Sequence, residues 1–257
     1  MKPVIIDLFC GKGGWAHGCL TAGAHVIGFD ISNMGGYPGE LVLQDVRTLH
    51  GSQFRNAAAI VASPPCQRYS YMAMPWSRAK AMAANYRANP ELIESESNVL
   101  YNACFRIQRE ASEAAGRHIP LVVENVKGAQ PWVGSAKANY GSFYLWGSGV
   151  DTVNGRIVVG KDLNIRTPQF GHPTIVVSKS TAGLPGEPDP HDGYKSTAHL
   201  TNQSESDGIK QGGEWWHDPG SITRRFSSRS AARKEASARI AMIPFDLAYH
   251  IGRTFIS

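Results

Sequence analysis

The chain is sparing with cysteine. Its four, Cys10, Cys19, Cys66 and Cys104, form no CxxC pair and have no histidine at ligand spacing, which argues against a disulfide framework and a structural zinc. His172, His191, His199 and His217 lie among Asp189, Asp192 and Asp218, but their spacings match no metal site, and no metal is expected. Long apolar runs are missing too. No stretch approaches the ~18 consecutive apolar residues of a membrane span, and Met1-Lys2-Pro3 leads into strand-like sequence rather than a signal peptide, so a soluble intracellular protein is expected. There is no internal repeat, and the excess of 26 Lys and Arg over 21 Asp and Glu is small. A net charge of +5 is only a modest sign of a polyanionic partner.

What the chain does have is room for a core: 257 residues, 42% of them hydrophobic, suffice for one large domain or one domain with a small appendage. Strand-like and helical segments alternate, as an α/β sheet requires. Strands are expected at Val4 to Phe9, His25 to Asp30, Leu41 to Val46, Ala59 to Ala62 and Ile119 to Val126. Helices are expected at Trp15 to Ala22 and over Leu92 to Ala115, with Pro90 before the second and Gly116 as its stop. Beyond Gly128 the pattern breaks into short strand-like pieces at Tyr140 to Trp146, Arg156 to Val159 and Ile175 to Val177, then a stretch from Ser178 to Gly220 rich in Gly, Pro, Ser, His and Asp. A helix from about Ser228 to Ile240 and a last apolar turn through Phe245, Leu247 and Ile251 close the chain.

Three expected strands end in a polar signature. The first runs into Asp7-Leu8-Phe9-Cys10-Gly11-Lys12-Gly13-Gly14, the fourth into Ser63-Pro64-Pro65-Cys66-Gln67, and the fifth carries Glu124-Asn125-Val126. In an open parallel sheet, ligands collect at the carboxyl ends of the strands, where all three lie. The glycines let the backbone turn sharply and approach a ligand, and the helix start after them offers free amides. Asp30 and Asp45, at the ends of the second and third strands, are placed to accept hydrogen bonds from ribose hydroxyls and an adenine amino group. The plain alternative is that Asp30 caps a turn and the glycines serve packing.

In this order and spacing the three signatures resemble the DNA (cytosine-5) methyltransferases, and the end of the chain, Thr223 to Phe255, resembles their compact phage-type members. The resemblance implies a Rossmann-like S-adenosylmethionine-dependent methyltransferase fold with a small, irregular target-recognition region. It divides the chain into a catalytic domain at about 1–130 and 222–257 and a recognition region at 131–221. It implies a cofactor pocket from Asp7, Phe9, Gly11, Lys12, Gly13, Gly14, Trp15, Asp30, Ile31, Asp45, Val46 and Pro64. The implied substrate is double-stranded DNA in a bacterial or phage-infected cell, with no obligate protein partner and no membrane.

The chemistry gives the matching residues their roles. Cytosine C5 is a poor nucleophile, and addition of a thiolate at C6 activates it, which makes Cys66 the candidate nucleophile. Charge developing on the ring is neutralised at N3 by a carboxyl group, for which Glu124 is the candidate, with Asn125 positioning its loop. Pro64 and Pro65 restrict the backbone before the thiol. An inert buried thiol and a surface carboxylate are the plain alternatives for Cys66 and Glu124. The segment Gln67 to Pro90 reads as a long loop mixing Arg68, Tyr69, Ser70, Tyr71, Trp76, Arg78 and Lys80, a composition suited to closing over an extruded base, with Arg68 and Ser70 as contacts to DNA. Arg225, Arg229 and Arg233, in a basic run that also holds Arg224, Lys234 and Arg239, are candidates for phosphate contacts.

The chain also departs from that pattern. No Gln-x-Arg-x-Arg element follows Glu124, although Arg156, Arg166 and the neighbourhood of Thr167-Pro168-Gln169 are candidates for its place. Lys12 stands where a small or apolar residue is usual, which keeps open a tRNA cytosine substrate or a modified cofactor such as carboxy-S-adenosylmethionine. A non-catalytic nucleic-acid-binding protein is the remaining alternative, and the joint presence of Cys66 and Glu124 argues against it.

Overall fold

The computed structural model describes residues 1–67, 69, 76–92, 95, 98–141, 143–150, 175–176 and 242–256. Their core is a sheet of strands β1 (Val4–Leu8), β2 (His25–Asp30), β3 (Glu40–Leu43), β4 (Ala59–Ala62), β5 (Leu121–Asn125), β6 (Ala138–Tyr140), β7 (Phe143–Trp146) and β8 (Ile175–Val176). Their order is β3-β2-β1-β4-β5-β7-β6-β8. Strands β1 to β5 pair in parallel, while β7 runs antiparallel to both β5 and β6. This is the Rossmann-like α/β architecture expected from the sequence. The strand order reverses between β1 and β4, which makes the crevice above their carboxyl ends the place where such a sheet binds ligands.

The central strands are apolar on both faces because both are covered. One face, with Ile6, Leu8, Ile60, Ala62, Leu121 and Val123, packs against helix α3 (Val99–Ala115) through Cys104, Ile107 and Ala111. The other, with Ile5, Val26, Val61 and Val122, packs against helices α1 (Gly14–Thr21) and α5 (Phe245–Ile256). Helix α5 buries Leu247, Ala248, Ile251 and Gly252, an i, i+1, i+4, i+5 stripe. It lies very close to α1, because Gly14 and Gly18 share the face of α1 that meets the chain around Ile243, Ala248 and Tyr249.

Several expected elements differ in the structure. The third strand stops at Leu43 rather than Val46, because the Asp45 carboxylate accepts from the Arg47 N–H at 2.9 Å and turns the chain into the 3-10 helix Val46–Thr48. Helix α3 begins at Val99 rather than Leu92; Glu91 and Leu92 are helical as well, and residues 93, 94, 96 and 97 lie outside the described residues. The stop of α3 at Gly116 is as expected, with left-handed φ of 62°. The segment Gln67 to Pro90, read as a loop, contains the alanine-rich helix α2 (Trp76–Ala88). Tyr140 to Trp146 spans the end of β6 and the whole of β7, which pair antiparallel, and the final apolar turn is the 12-residue helix α5. The sheet continues past the expected domain boundary at residue 130, through β6 and β7. The expected strand Arg156 to Val159 and helix Ser228 to Ile240 fall outside the described residues, as does most of 131–221.

The α1–α5 contact sets a clear test. A Cβ at Gly18 would be forced into the backbone of Ala248 and Tyr249. Gly18→Ala should lower stability by about 1–3 kcal/mol, the usual cost of overpacking, while His17→Ala, one residue away and exposed, should stay within about 0.5 kcal/mol. Urea unfolding measures both, and equal midpoints for the two variants would contradict the packing.

Candidate active site

The site is assembled at the switch point by backbone geometry and a few side-chain bonds. Past β1 the chain reverses at once. Phe9 has a positive φ of 59°, rare for a bulky residue, and such strain collects at functional sites. Gly13 N–H donates to the Cys10 carbonyl at 2.8 Å, closing the turn. Gly11, at φ 51°, borders open space: a Cβ there would meet nothing within 4 Å. Its N–H donates to Asp30 Oδ2 at 3.0 Å, while Asp30 Oδ1 accepts from Ser32 N–H at 3.1 Å. A carboxylate offers about four acceptor positions, so Asp30 is tied to the glycine loop and keeps capacity for a further donor. Beside it Ile31 is 75% exposed, an unusual amount for isoleucine.

Asp45 lies near Asp30, since Gln44 N–H donates to the Asp30 carbonyl at 2.9 Å. Its carboxylate is already engaged by Arg47, with Arg47 Nη2 at 2.5 Å and Nε at 3.0 Å from Oδ2, and these bonds hold its pKa below the usual carboxylate range. Val46 is buried and contributes support rather than surface. Lys12 Nζ donates to the Met34 carbonyl at 3.3 Å, toward the β2–β3 connection.

Asp7 supports the loop from beneath. It is 0% exposed, and its Oδ2 accepts from the Tyr37 hydroxyl at 3.2 Å, while Oδ1 has no hydrogen-bond partner among the described residues. Burial, opposed by the Tyr37 bond and reinforced by the charge of Asp30, pushes its pKa up to about 8. The Tyr37 ring fits only because Gly13 and Gly28 lack side chains: a Cβ at Gly13 would stand 3.0 Å from ring atom Cδ2, and one at Gly28 would run into the phenol.

The cysteine loop leaves β4 on the other side of the switch point. Ser63 N–H donates to the Leu8 carbonyl at 3.2 Å, and Trp15 Nε1 donates to Ser63 Oγ at 2.9 Å, so α1 holds the start of this loop. Asn125 Nδ2 donates to the Pro64 carbonyl at 3.0 Å in a buried bond. Thus the third signature holds the second. Glu124 and Asn125 are both buried at the end of β5, next to antiparallel β7, where Glu124 faces Leu145 in register. None of the four cysteines is in a disulfide, and Cys66 alone is partly exposed; Cys10, Cys19 and Cys104 are buried with thiols pushed up by desolvation. Such thiols are poor nucleophiles.

Of the residues expected in the site, Phe9, Gly11, Gly13, Gly14, Trp15, Asp30, Pro64 and Asn125 are linked directly or through a neighbour by these bonds, and Cys66 follows Pro64 by two residues. Arg68, Ser70, Arg225, Arg229 and Arg233 lie outside the described residues, as do Arg156, Arg166 and the four histidines from 172 to 217. Among the described residues no cluster of His, Cys, Asp or Glu could hold a metal, and no helix is long and apolar enough to cross a membrane. Ser63 stood in the cysteine signature without a role of its own, and Tyr37 was not singled out in the sequence. Tyr37 had a faint signal, an aromatic flanked by Gly35, Gly36, Pro38 and Gly39.

No family model matches the chain, and no curated protein matches it. Solved structures that do match include a provisionally assigned DNA modification methyltransferase encoded within an E. coli prophage. It is 24% identical, with 49% of this chain and 33% of that chain covered and a TM-score of 0.33. The Entamoeba histolytica methyltransferase EhMeth is 18% identical, with 52% and 41% covered and a TM-score of 0.34. The S. pombe Dnmt2 methyltransferase is 15% identical, with 52% and 37% covered and a TM-score of 0.34. The matches thus span between 33% and 41% of the length of these proteins.

The buried carboxyl makes a pH prediction. Because the folded pKa of Asp7 lies above its unfolded value of 3.8, the folded state holds the extra proton between pH 4 and 8. The contribution of Asp7 to stability is therefore fully present below pH 4 and is lost as pH rises through 8. Asp7→Asn should remove this loss, so that thermal unfolding of the variant, compared with wild type from pH 5 to 8, declines less on going up in pH. Parallel pH profiles for the two proteins would contradict a raised pKa at Asp7.

Proposed function

We propose that the protein is an S-adenosylmethionine-dependent methyltransferase acting at C5 of a cytosine in DNA, through a covalent adduct of Cys66 at C6. The observation that carries the reading is the bond from Asn125 to the Pro64 carbonyl: it ties the Glu124-Asn125 strand end to the loop that bears the one partly exposed thiol. Both stand beside the glycine loop, to which Trp15 and Ser63 connect them.

The residues present fit the cofactor. The open space over Gly11, the spare acceptor capacity of Asp30 and the exposed side chain of Ile31 together suit an adenosine with ribose hydroxyls and an apolar base face. S-adenosylmethionine, when bound, supplies an electrophilic methyl group on a sulfonium. The protein's own residues make the cytosine able to take it. The Cys66 sulfur attacks C6, and the electron pair of the C5–C6 double bond moves into the ring as Glu124 donates a proton or hydrogen bond at N3. C5 thereby gains enamine character. After C5 is substituted, loss of its proton and expulsion of the Cys66 thiolate from C6 restore the aromatic ring. The target atom is hidden in a base stack, so the base must be extruded. Arg225, Arg229 and Arg233 would then neutralise phosphates.

The test is the mass of nucleosides from DNA of cells expressing the chain. We expect 5-methylcytosine with wild type, none with Cys66→Ala, and a loss of at least about 100-fold in rate with Glu124→Gln, in keeping with removal of a general acid. Modification confined to tRNA, or a product heavier than methylcytosine, would replace the substrate or the transferred group. Undiminished product with Cys66→Ala would overturn the covalent scheme.

A further inference from the structure

A second tie, on the far side of Cys66 from the Asn125–Pro64 bond, was invisible in the sequence. Tyr69, an aromatic of the segment expected to close over an extruded base, is 2% exposed, and its hydroxyl donates to Asn98 Oδ1 at 2.8 Å in a buried bond. Asn98, also 2% exposed, passes the connection on: its Nδ2 donates to the Trp132 carbonyl at 2.9 Å. The Tyr69 N–H donates to the Cys66 carbonyl at 2.9 Å, closing a tight turn on the thiol-bearing residue itself. Trp132 belongs to helix α4 (Gln130–Val133), which follows closely on Glu124 and Asn125, and its ring meets Tyr86 of α2 edge to face at 5.7 Å between centroids.

The placement of Asn98 is informative. It occupies the N-cap of α3, where an asparagine side chain ordinarily accepts from a backbone N–H of the first turn and contributes about 1 kcal/mol. Here it makes no such bond. Its amide serves Tyr69 and Trp132 instead. A residue that gives up its best local use for a buried link between two loops is a local rule broken, and such breaks gather at functional sites.

We propose that Tyr69 and Asn98 are positioning residues for Cys66, forming with Trp132 a strap that fixes the loop after the nucleophile to the segment after Glu124. The Asn125–Pro64 bond fixes the same loop two residues before the nucleophile. The thiol-bearing residue is thereby held from both sides against the strand end that carries Glu124, so the spacing of Cys66 from Glu124 depends on two independent bridges. A misplacement of about 1 Å at a reacting centre can cost about 100-fold in rate. Neither Tyr69 nor Asn98 has surface with which to touch a base, which separates positioning from catalysis. The proposal rests on the reading of Cys66 as the nucleophile, but its first test does not require methylation.

That test uses the whole chain and iodoacetamide. With three cysteines buried, labelling of the folded protein reports on Cys66, and peptide mass spectrometry resolves each site. In Tyr69→Phe, which keeps the ring and loses only the hydroxyl, and in Asn98→Ala, we expect Cys66 to label at least about threefold faster while Cys10, Cys19 and Cys104 stay protected. Labelling of Cys66 within twofold of wild type in both variants would overturn the strap. So would equal labelling of all four cysteines in Tyr69→Phe, which would make the hydroxyl an ordinary prop of the fold. In turnover, Tyr69→Phe should lower kcat about tenfold and leave KM for cofactor and DNA within twofold; an unchanged kcat with a raised KM would also overturn it. If wild type gives no methylated nucleoside, the function proposed above fails, while the labelling result still decides the strap.

Discussion

The structure around the site depends on how the protein satisfies the loop Ser63 to Cys66. Two consecutive prolines remove two backbone donors and stiffen the chain, so this stretch cannot be held by continuing a ladder of strand bonds. The Pro64 carbonyl remains, buried, and a buried acceptor without a donor costs about 1–3 kcal/mol. Asn125 supplies that donor. The Asn125 Oδ1 accepts from Val126 N–H at 2.8 Å, which orients the amide so that Nδ2 faces Pro64. This side chain thus ties together two strand ends, one leading to a thiol and the other bearing a carboxyl group. With the loop so constrained, exposing Cys66 while burying the other thiols becomes a matter of where β4 ends.

The other half of the site is held by small residues and a buried acid. Helix α1 starts immediately at Gly14, packed against the chain at Ile243, and the glycine loop before it has no room to drift because Tyr37 and Pro38 press on Gly13. Asp7 closes the arrangement from below by accepting the Tyr37 hydroxyl. A neutral carboxyl is far cheaper to bury than a charged one, and this is the physical origin of its raised pKa. The strain at Phe9 is tolerated because both sides of the turn are fixed, by the sheet at Cys10 N–H, which donates to the Phe29 carbonyl at 3.2 Å, and by α1 beyond Gly13.

Much of this was legible in the sequence, and the reasons for the rest are physical. Parallel strands buried on both faces leave continuous apolar runs, so β1, β2 and β4 were read almost to the residue, and the polar groups that end them stood out. The early end of β3 was hidden because Asp45 reads equally well as a strand-end ligand and as a turn former; the structure shows its carboxylate bonding Arg47. Helix α2 was missed because its helical pattern is alanine with charges rather than an amphipathic stripe. The Tyr69–Asn98–Trp132 link joins residues 29 and 34 positions apart through side chains that each have an ordinary local use, so no spacing rule reaches it. The same holds for Tyr37 and Asp7, separated by 30 positions.

In the proposed reaction Cys66, held between these bridges, attacks a cytosine ring. DNA carrying 5-fluorocytosine tests it most directly, because fluorine at C5 cannot leave as a proton does and the sulfur stays bonded to C6. With S-adenosylmethionine present, we expect a stable one-to-one adduct whose cross-linked peptide contains Cys66, and no adduct with Cys66→Ala. Absence of any adduct from DNA that the protein methylates when it carries ordinary cytosine, or an adduct that persists in Cys66→Ala, would contradict it.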